Sequence, residues 1–367
     1  MRLVFLGLSL SSSWGNGHAT TYRALLRALD ERGHEVLFLE REQPWYAAHR
    51  DLPDPGFCRL RFYDRIADLD RFTRDFAHAD AVIVGSYVPE GIAVIDRLAA
   101  CVRRGFCFYD IDTPVTLRGL ERGDGAYLAA EQIPLFDLYL SFTGSPALTA
   151  LERRHGARMA RALYCAADPD LHHPTGAVRR WDLGYLGTYS ADRQPALERL
   201  LIAPARRRPD LRFAVAGPQY PPEIVWPTNV ERIEHLAPAA HPDFYSSLGW
   251  ALNVTRAAMT HAGHSPSVRL FEATACGTPV ISDEWPGLEA LFRPGHDILL
   301  AGQTRDVLAA LDLPEQARVA IGDAGRRQTL ARHTAAIRAG ELETYLDAAW
   351  RAGAKRTALR VGEGADV

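Results

Sequence analysis

The chain predicts an α/β protein of two domains, each built on a parallel sheet. Three observations carry that prediction. Short apolar runs bounded by turn residues alternate with helical stretches, which is how a sheet covered on both faces reads. The alternation breaks in a Pro-containing segment near Asp168–Pro174 and restarts at Asp182. A length of 367 residues suffices for two ordinary cores.

In order, RLVFLGLSL from Arg2 predicts the first strand, TTYRALLRALDERG from Thr20 a helix, and HEVLFLE from His34 the second strand. A less regular region follows, marked by Pro44, Pro53 and Pro55. Asp80–Tyr87, Arg104–Asp112 and Leu138–Thr143 read as further strands with helices between them. Arg161–Pro174 reads as a last short strand with a Pro-rich exit, and the domain boundary is placed there. This assigns 1–170 to a first domain and 175–334 to a second, with the helical stretch 335–352 packing back on the first. The helical pattern from Leu308 to Trp350 closes the chain, and 353–367 reads as a loose tail.

Composition excludes several classes. A hydrophobic content of 47% with 24% charged residues belongs to a globular protein. A net charge of −3 gives no electrostatic reason to expect nucleic acid or an anionic membrane as partner. Lys355 is the single lysine among the basic residues, a bias that a GC-rich coding sequence explains more simply than phosphate recognition. Cys58, Cys101, Cys107, Cys165 and Cys276 form no CxxC pair, and their odd number points to a reducing, cytoplasmic setting. The apolar N-terminus reads as a buried strand instead of a signal peptide, and no segment approaches membrane-spanning length. His172-His173 and the pair His261 and His264 lack a metal-site motif, so no metal is expected.

The richest segment runs from Ser265 to Asp283, SPSVRLFEATACGTPVISD. It predicts a helix carrying Arg269, Glu272 and Cys276 at helical spacing, closed by Gly277 and Pro279, then a short strand through Val280 and Ile281. A carboxylate on such a helix suits paired sugar hydroxyls; a solvated helical glutamate is the plainer alternative. The loop Gly15-Asn16-Gly17 reads as a plain tight turn or as one of two binding loops. It is half of a dinucleotide fingerprint, with Glu40 where a ribose-binding acid would sit, but Thr20 stands where the third glycine belongs. Equally, it offers backbone N–H groups at a helix start to any phosphate, with His18 beside it. Asp110 and Asp112 end a strand, where open α/β sheets bind ligands, and Asp112 also suits a helix N-cap.

The Ser265–Asp283 string resembles the signature of retaining, family-4-like GT-B glycosyltransferases, whose Phe-Glu-Ala segment before Ala-Cys-Gly places a glutamate on the donor ribose. Leu183–Leu201, Arg212–Pro218 and Phe244–Arg256 resemble the family's preceding strands, glycine turns and helices. The wording from Asn253 to Gly277 is similar to the CgeB-like branch, named for a spore-maturation protein. The resemblance implies a GT-B fold, two Rossmann-like α/β domains facing each other across a cleft. It implies transfer from a nucleotide-diphosphate sugar to an unknown acceptor, with retention, without metal and without a further cofactor. On the donor side it points to Gly187, Thr188, Arg193, Gly217, His235, Leu236, His264, Ser267, Val268, Arg269 and Glu272, with Asn16 and Gly17 from the N-terminal loop. On the acceptor side it points to Asp110, Asp112 and His18. Two departures stand out. His264 occupies the place of a second glutamate, and Thr188 that of an arginine after the glycine turn. A GT-B epimerase, a non-catalytic nucleotide- or carbohydrate-binding relative and an NAD-dependent oxidoreductase are the alternatives.

Overall fold

The computed structural model describes residues 1–15 and 17–363 and divides them into two units. The first comprises Met1–Tyr164 with the C-terminal segment from Ala336, the second Cys165–Ala335.

The first unit holds seven parallel strands: β1 (Arg2–Gly7), β2 (Glu35–Arg41), β3 (Arg59–Tyr63), β4 (Ala81–Gly85), β5 (Phe106–Asp110), β6 (Leu138–Ser141) and β7 (Ala160–Ala162). Their spatial order is β3-β2-β1-β4-β5-β6-β7. Phe5 of β1 lies opposite Phe38 of β2 and Ile83 of β4, and all three are fully buried, as expected for strands covered on both faces. The helix Gly17–Glu31 buries Ala19, Tyr22, Leu25, Leu26 and Leu29 at helical spacing. Tyr22 meets Phe5, Phe38 and Tyr109 edge-on. A Cβ at Gly85 would lie 1.9 Å from the Tyr22 hydroxyl, so this approach needs glycine. The C-terminal helix Ala335–Glu363 turns Leu342, Leu346 and Ala349 inward. Its Glu343 accepts from Arg32 Nε at 2.8 Å and pairs with His34 Nε2 at 2.6 Å, interactions that hold the carboxylate down at about 2.

The second unit holds six parallel strands: β8 (Trp181–Leu186), β9 (Phe213–Ala216), β10 (Val230–Ile233), β11 (Leu248–Asn253), β12 (Val280–Ser282) and β13 (Leu299–Leu300). Their order is β10-β9-β8-β11-β12-β13. The core gathers Leu183, Tyr185, Phe213, Val215, Trp250, Leu252 and Ile281.

In each sheet the strand order reverses once, between β1 and β4 and between β8 and β11. Open α/β sheets bind ligands at the carboxyl ends of strands beside such a reversal.

The structure departs from expectation in three places. β3 arises in the stretch that reads as irregular, and β13 where no strand is predicted. The pattern from Leu308 to Trp350 resolves into the end of Thr304–Leu311, then Glu315–Arg332 and the C-terminal helix. That last helix continues through the expected tail to Glu363; residues 364–367 lie outside the described residues. Among the described residues no helix is long and apolar enough to cross a membrane.

Candidate functional site

The two glycine turns of the second unit lock together. Gly187 follows β8 and donates its N–H to Ala216 O at 2.8 Å; Gly217 follows β9 and donates to Ile233 O at 2.8 Å. Gly217 has φ +137, and a Cβ there would stand 2.1 Å from Gly187 O. Only glycine permits this backbone approach. Tyr220 donates its hydroxyl to Gly187 O at 3.1 Å, and Arg232 donates to Gly217 O at 2.9 Å while its guanidinium lies over the Tyr220 and Trp226 rings. Sequence reasoning misses Arg232, because its cue is an arginine packed between aromatics at a distance along the chain.

Arg193, half-buried, leans back on the first of these turns, donating Nη2 to Thr188 O at 2.7 Å. Its Nε is buried and has no hydrogen-bond partner among the described residues. An unsatisfied buried donor on a cation is costly in isolation and is a ready anion contact. His235 is exposed and Leu236 half-buried just beyond β10.

The helix Val268–Ala275 follows β11 in sequence order. Ser267 caps it, its side chain accepting from the Arg269 N–H at 3.2 Å, and Val268 opens its first turn, whose N–H groups lack intrahelical acceptors. His264, three residues before the cap, is half-buried in the left-handed region at φ 49, with its N–H on Pro286 O at 2.6 Å. A non-glycine residue held there marks stored strain of the kind concentrated at ligand sites.

Arg269, expected at the phosphates, sits between the ends of β8 and β11. It is buried, donates to Leu186 O at 2.5 Å and to Asn253 Oδ1 at 2.9 Å, and lies over the Tyr185 ring. Its Nε and Nη1 brace the ends of β8 and β11 across the strand reversal, while Nη2 lies beside the Gly187 turn, 2.7 Å from where a Cβ at Gly187 would stand. Asp283 completes that network, accepting from the Thr255 N–H and hydroxyl at 2.8 Å each; burial raises its pKa.

Glu272, one turn beyond Arg269, is buried as well. Tyr245 donates its hydroxyl to Oε2 at 3.2 Å, His172 Nε2 lies 3.6 Å from Oε1, and His241 Nδ1 lies 3.8 Å from Oε2. Burial lowers the His241 pKa, with the Glu272 charge opposing. The sequence offers no hint of this grouping, since its histidines come from segments remote from the helix.

In the first unit Glu40, next to last in β2, is fully buried. It accepts from Ser9 Oγ at 3.0 Å, the Leu10 N–H at 2.7 Å, and Ser11 N–H and Oγ at 2.9 and 2.7 Å. Its acceptor capacity is spent on holding the loop after β1, so the ribose role of a dinucleotide site has no carboxylate to perform it. Asp110 is likewise consumed. It is fully buried, accepts from Tyr139 Oη at 2.6 Å, Thr116 Oγ1 at 2.8 Å and the Asp112 N–H at 3.2 Å, and burial pushes its pKa up to about 6. That placement makes it part of the core and removes it from the acceptor-facing candidates.

Asp112 stands at the N-cap position of the helix Thr113–Arg122, yet its side chain makes no cap bond. It accepts instead from the Tyr87 hydroxyl at 2.9 Å and stays partly exposed. Tyr87 follows β4 at φ 64, and the His18 ring meets it edge-on at 5.2 Å. His18, Tyr87 and Asp112 therefore meet beside the reversal between β1 and β4. Gly17 opens the first helix, and a Cβ added to it would meet nothing within 4 Å; Asn16 lies outside the described residues.

Two parallel-sheet α/β units of this kind constitute the GT-B class of fold. Residues 193–344 match the family described as "Glycosyl transferase-like", which places a glycosyltransferase-like domain over most of the second unit and the start of the C-terminal helix. Three solved structures have the same fold along nearly the whole chain. A sucrose-phosphate synthase from Thermosynechococcus elongatus superposes with TM-score 0.67 at 16% identity, covering 95% of this chain and 100% of its own. HepE from Anabaena, in complex with UDP and glucose, gives 0.70 at 13%, with 95% and 100% covered. An alpha-glucosyltransferase in complex with UDP-glucose and DNA gives 0.68 at 12%, with 94% and 99% covered. No match is found among curated protein sequences.

Proposed function

We propose that the protein transfers a sugar from a nucleotide-diphosphate sugar to an acceptor. The observation that carries the reading is Arg193, whose buried Nε is unsatisfied among the described residues while its Nη2 rests on the paired glycine turns, beside the reversal of the second sheet. The donor diphosphate binds at Gly187, Thr188, Arg193 and Gly217, with N–H groups at Ser267 and Val268 adding to it. The base lies along the backbone of His235 and Leu236, the ribose hydroxyls face Glu272, and the transferred sugar lies near His264. Arg269 braces this site through Nε and Nη1 and turns Nη2 toward the Gly187 turn, beside the diphosphate.

The chemical requirement is to stabilise charge growing on the departing diphosphate, and fixed positive groups do this without reorganisation. No metal on the diphosphate is part of this reading. The acceptor belongs to the first unit, positioned by Asp112 with His18. Stereochemistry is retained, the leaving phosphate taking the acceptor proton. The solved neighbours with UDP-glucose support the donor class, and the glycosyltransferase-like match supports the reaction class.

Isothermal titration with UDP, other nucleoside diphosphates and NAD tests the donor side. Micromolar binding of a nucleoside diphosphate, followed by turnover of the matching nucleotide sugar, is expected. Binding of NAD in preference to every nucleoside diphosphate would overturn the reading.

A further inference from the structure

The geometry points to a divalent transition-metal site, of the zinc class, formed by His172, His241 and Glu272 in the second unit. The three side chains offer one ligand atom each, all within 4.8 Å of one another. A tetrahedral ion with bonds of about 2.0–2.2 Å sets its ligand atoms roughly 3.4 Å apart. The separations here are 3.6 Å from His172 Nε2 to Oε1 and 3.8 Å from His241 Nδ1 to Oε2. These two approaches fall on different carboxylate oxygens, and with the three ligand atoms within 4.8 Å of one another, side-chain adjustment of up to roughly 1.4 Å brings them to bonding geometry.

The polar satisfaction of the site argues for an occupant. His172 is 1% exposed, and neither ring nitrogen has a hydrogen-bond partner among the described residues. His241 Nε2 faces Leu236 O at 3.3 Å. A carbonyl only accepts, so Nε2 carries the proton and Nδ1 presents a lone pair toward the carboxylate. Two acceptors facing each other in a buried space repel unless a cation or a donor stands between them. A ring N–H fixed on a backbone carbonyl, with the other nitrogen aimed at a common point, is also the usual outer-shell arrangement of a metal-bound histidine. Tyr245 supplies one hydroxyl to Glu272 Oε2, and both nitrogens of His172 and Nδ1 of His241 have no hydrogen-bond partner among the described residues. Imidazole and carboxylate ligands in a closed space select zinc and its neighbours over magnesium or calcium.

The metal assignment stands on these side chains alone; its consequence for nucleotide binding rests on the donor reading. One carboxylate oxygen on the ion leaves the other to accept a ribose hydroxyl, and the ion fixes the rotamer of Glu272. The ion stands behind the nucleoside, not on the diphosphate.

The test uses the untagged full-length protein, stripped with a chelator and titrated with Zn²⁺ and with Co²⁺. One ion per chain, with tetrahedral cobalt absorption bands, is expected. His172→Gln and His241→Gln should each weaken that binding by at least about 100-fold, beyond the roughly 10–100-fold that outer-shell changes cost. No stoichiometric uptake by the parent chain, or unchanged affinity in both variants, overturns the proposal. UDP titration of the metal-loaded protein separates the two ideas. Metal uptake without UDP binding rejects the donor reading and leaves the site standing; UDP binding without metal uptake does the reverse.

Discussion

Replacing Arg193 by alanine removes the cation that combines a buried unsatisfied donor with a place on the glycine turns. The guanidinium holds one internal bond among the described residues, Nη2 to Thr188 O, and Nε has none. A charge-assisted bond to phosphate contributes about 1.5–3 kcal/mol. At 1.4 kcal/mol per decade that is roughly 10- to 150-fold in affinity. The loss should fall on ligands with phosphates there and spare those without. Titration calorimetry of parent and variant with UDP, UMP and uridine reads the difference directly. UDP is expected to weaken by the full factor, UMP by less, and uridine by no more than about twofold. Arg193→Lys keeps the charge but not the planar fork that reaches Thr188 and a phosphate together, so it should fall between parent and alanine. Thermal unfolding serves as control, since Arg193 only precedes the short helix Gln194–Leu197 and alanine is tolerated there. Equal weakening of UDP and uridine, or none of either, would show that Arg193 does not meet the diphosphate.

Gly217→Ala drives a Cβ to 2.1 Å from Gly187 O at φ +137, so it should lower the melting temperature and abolish nucleotide binding. Gly17→Ala meets nothing within 4 Å and should leave the melting temperature unchanged or raise it; a large drop would contradict the geometry of that loop. Asp112→Asn keeps an acceptor for Tyr87 and should slow transfer modestly with donor affinity intact, whereas a loss on the order of four decades would mark a general base and inversion. Asp110 makes stability depend on pH. Its folded pKa of about 6 lies above the ordinary 3.8, so the folded chain holds this proton more tightly than the unfolded chain. That contribution is full below about pH 4, falls as pH rises to about 6 by at most about 3 kcal/mol, and is flat above. Asp110→Asn should remove that slope from chemical denaturation curves, and a slope that persists would assign it to another group.

The alternation of strand and helix is legible because it is local: each central strand is an apolar run closed by turn residues, and burial on both faces demands that pattern. What escapes lies at the edges. β3 reads Arg-Leu-Arg-Phe-Tyr, with charges on its outer face as sheet edges carry them, and β13 is two residues long. The segment 353–363 reads as loose because its composition is Arg-, Ala- and Gly-rich without an apolar stripe. The docking of the C-terminal helix depends on Arg32, His34 and Glu343, a pairing between the two ends of the chain that no periodicity announces.

The same division governs the site. Gly187 and Gly217 are readable because each follows its own strand by one residue, and a glycine there has few other uses. Acidic and basic side chains are not, because a position along the chain leaves open what surrounds its charge. Four carboxylates make the point. Glu40 and Asp110 stand at strand ends in the first unit, where ligand-binding acids belong, yet four donors around one and three around the other consume their acceptor capacity. Asp112, two residues on, takes the Tyr87 hydroxyl and stays partly exposed. Glu272 is the inverse case. It is buried like Asp110, but the groups around it include two imidazoles that present nitrogens without partners among the described residues. A buried carboxylate fully supplied with donors is structural; Glu272 has the Tyr245 hydroxyl alone and faces the Nδ1 lone pair of His241, and that deficit gives the His172–His241–Glu272 cluster its chemistry.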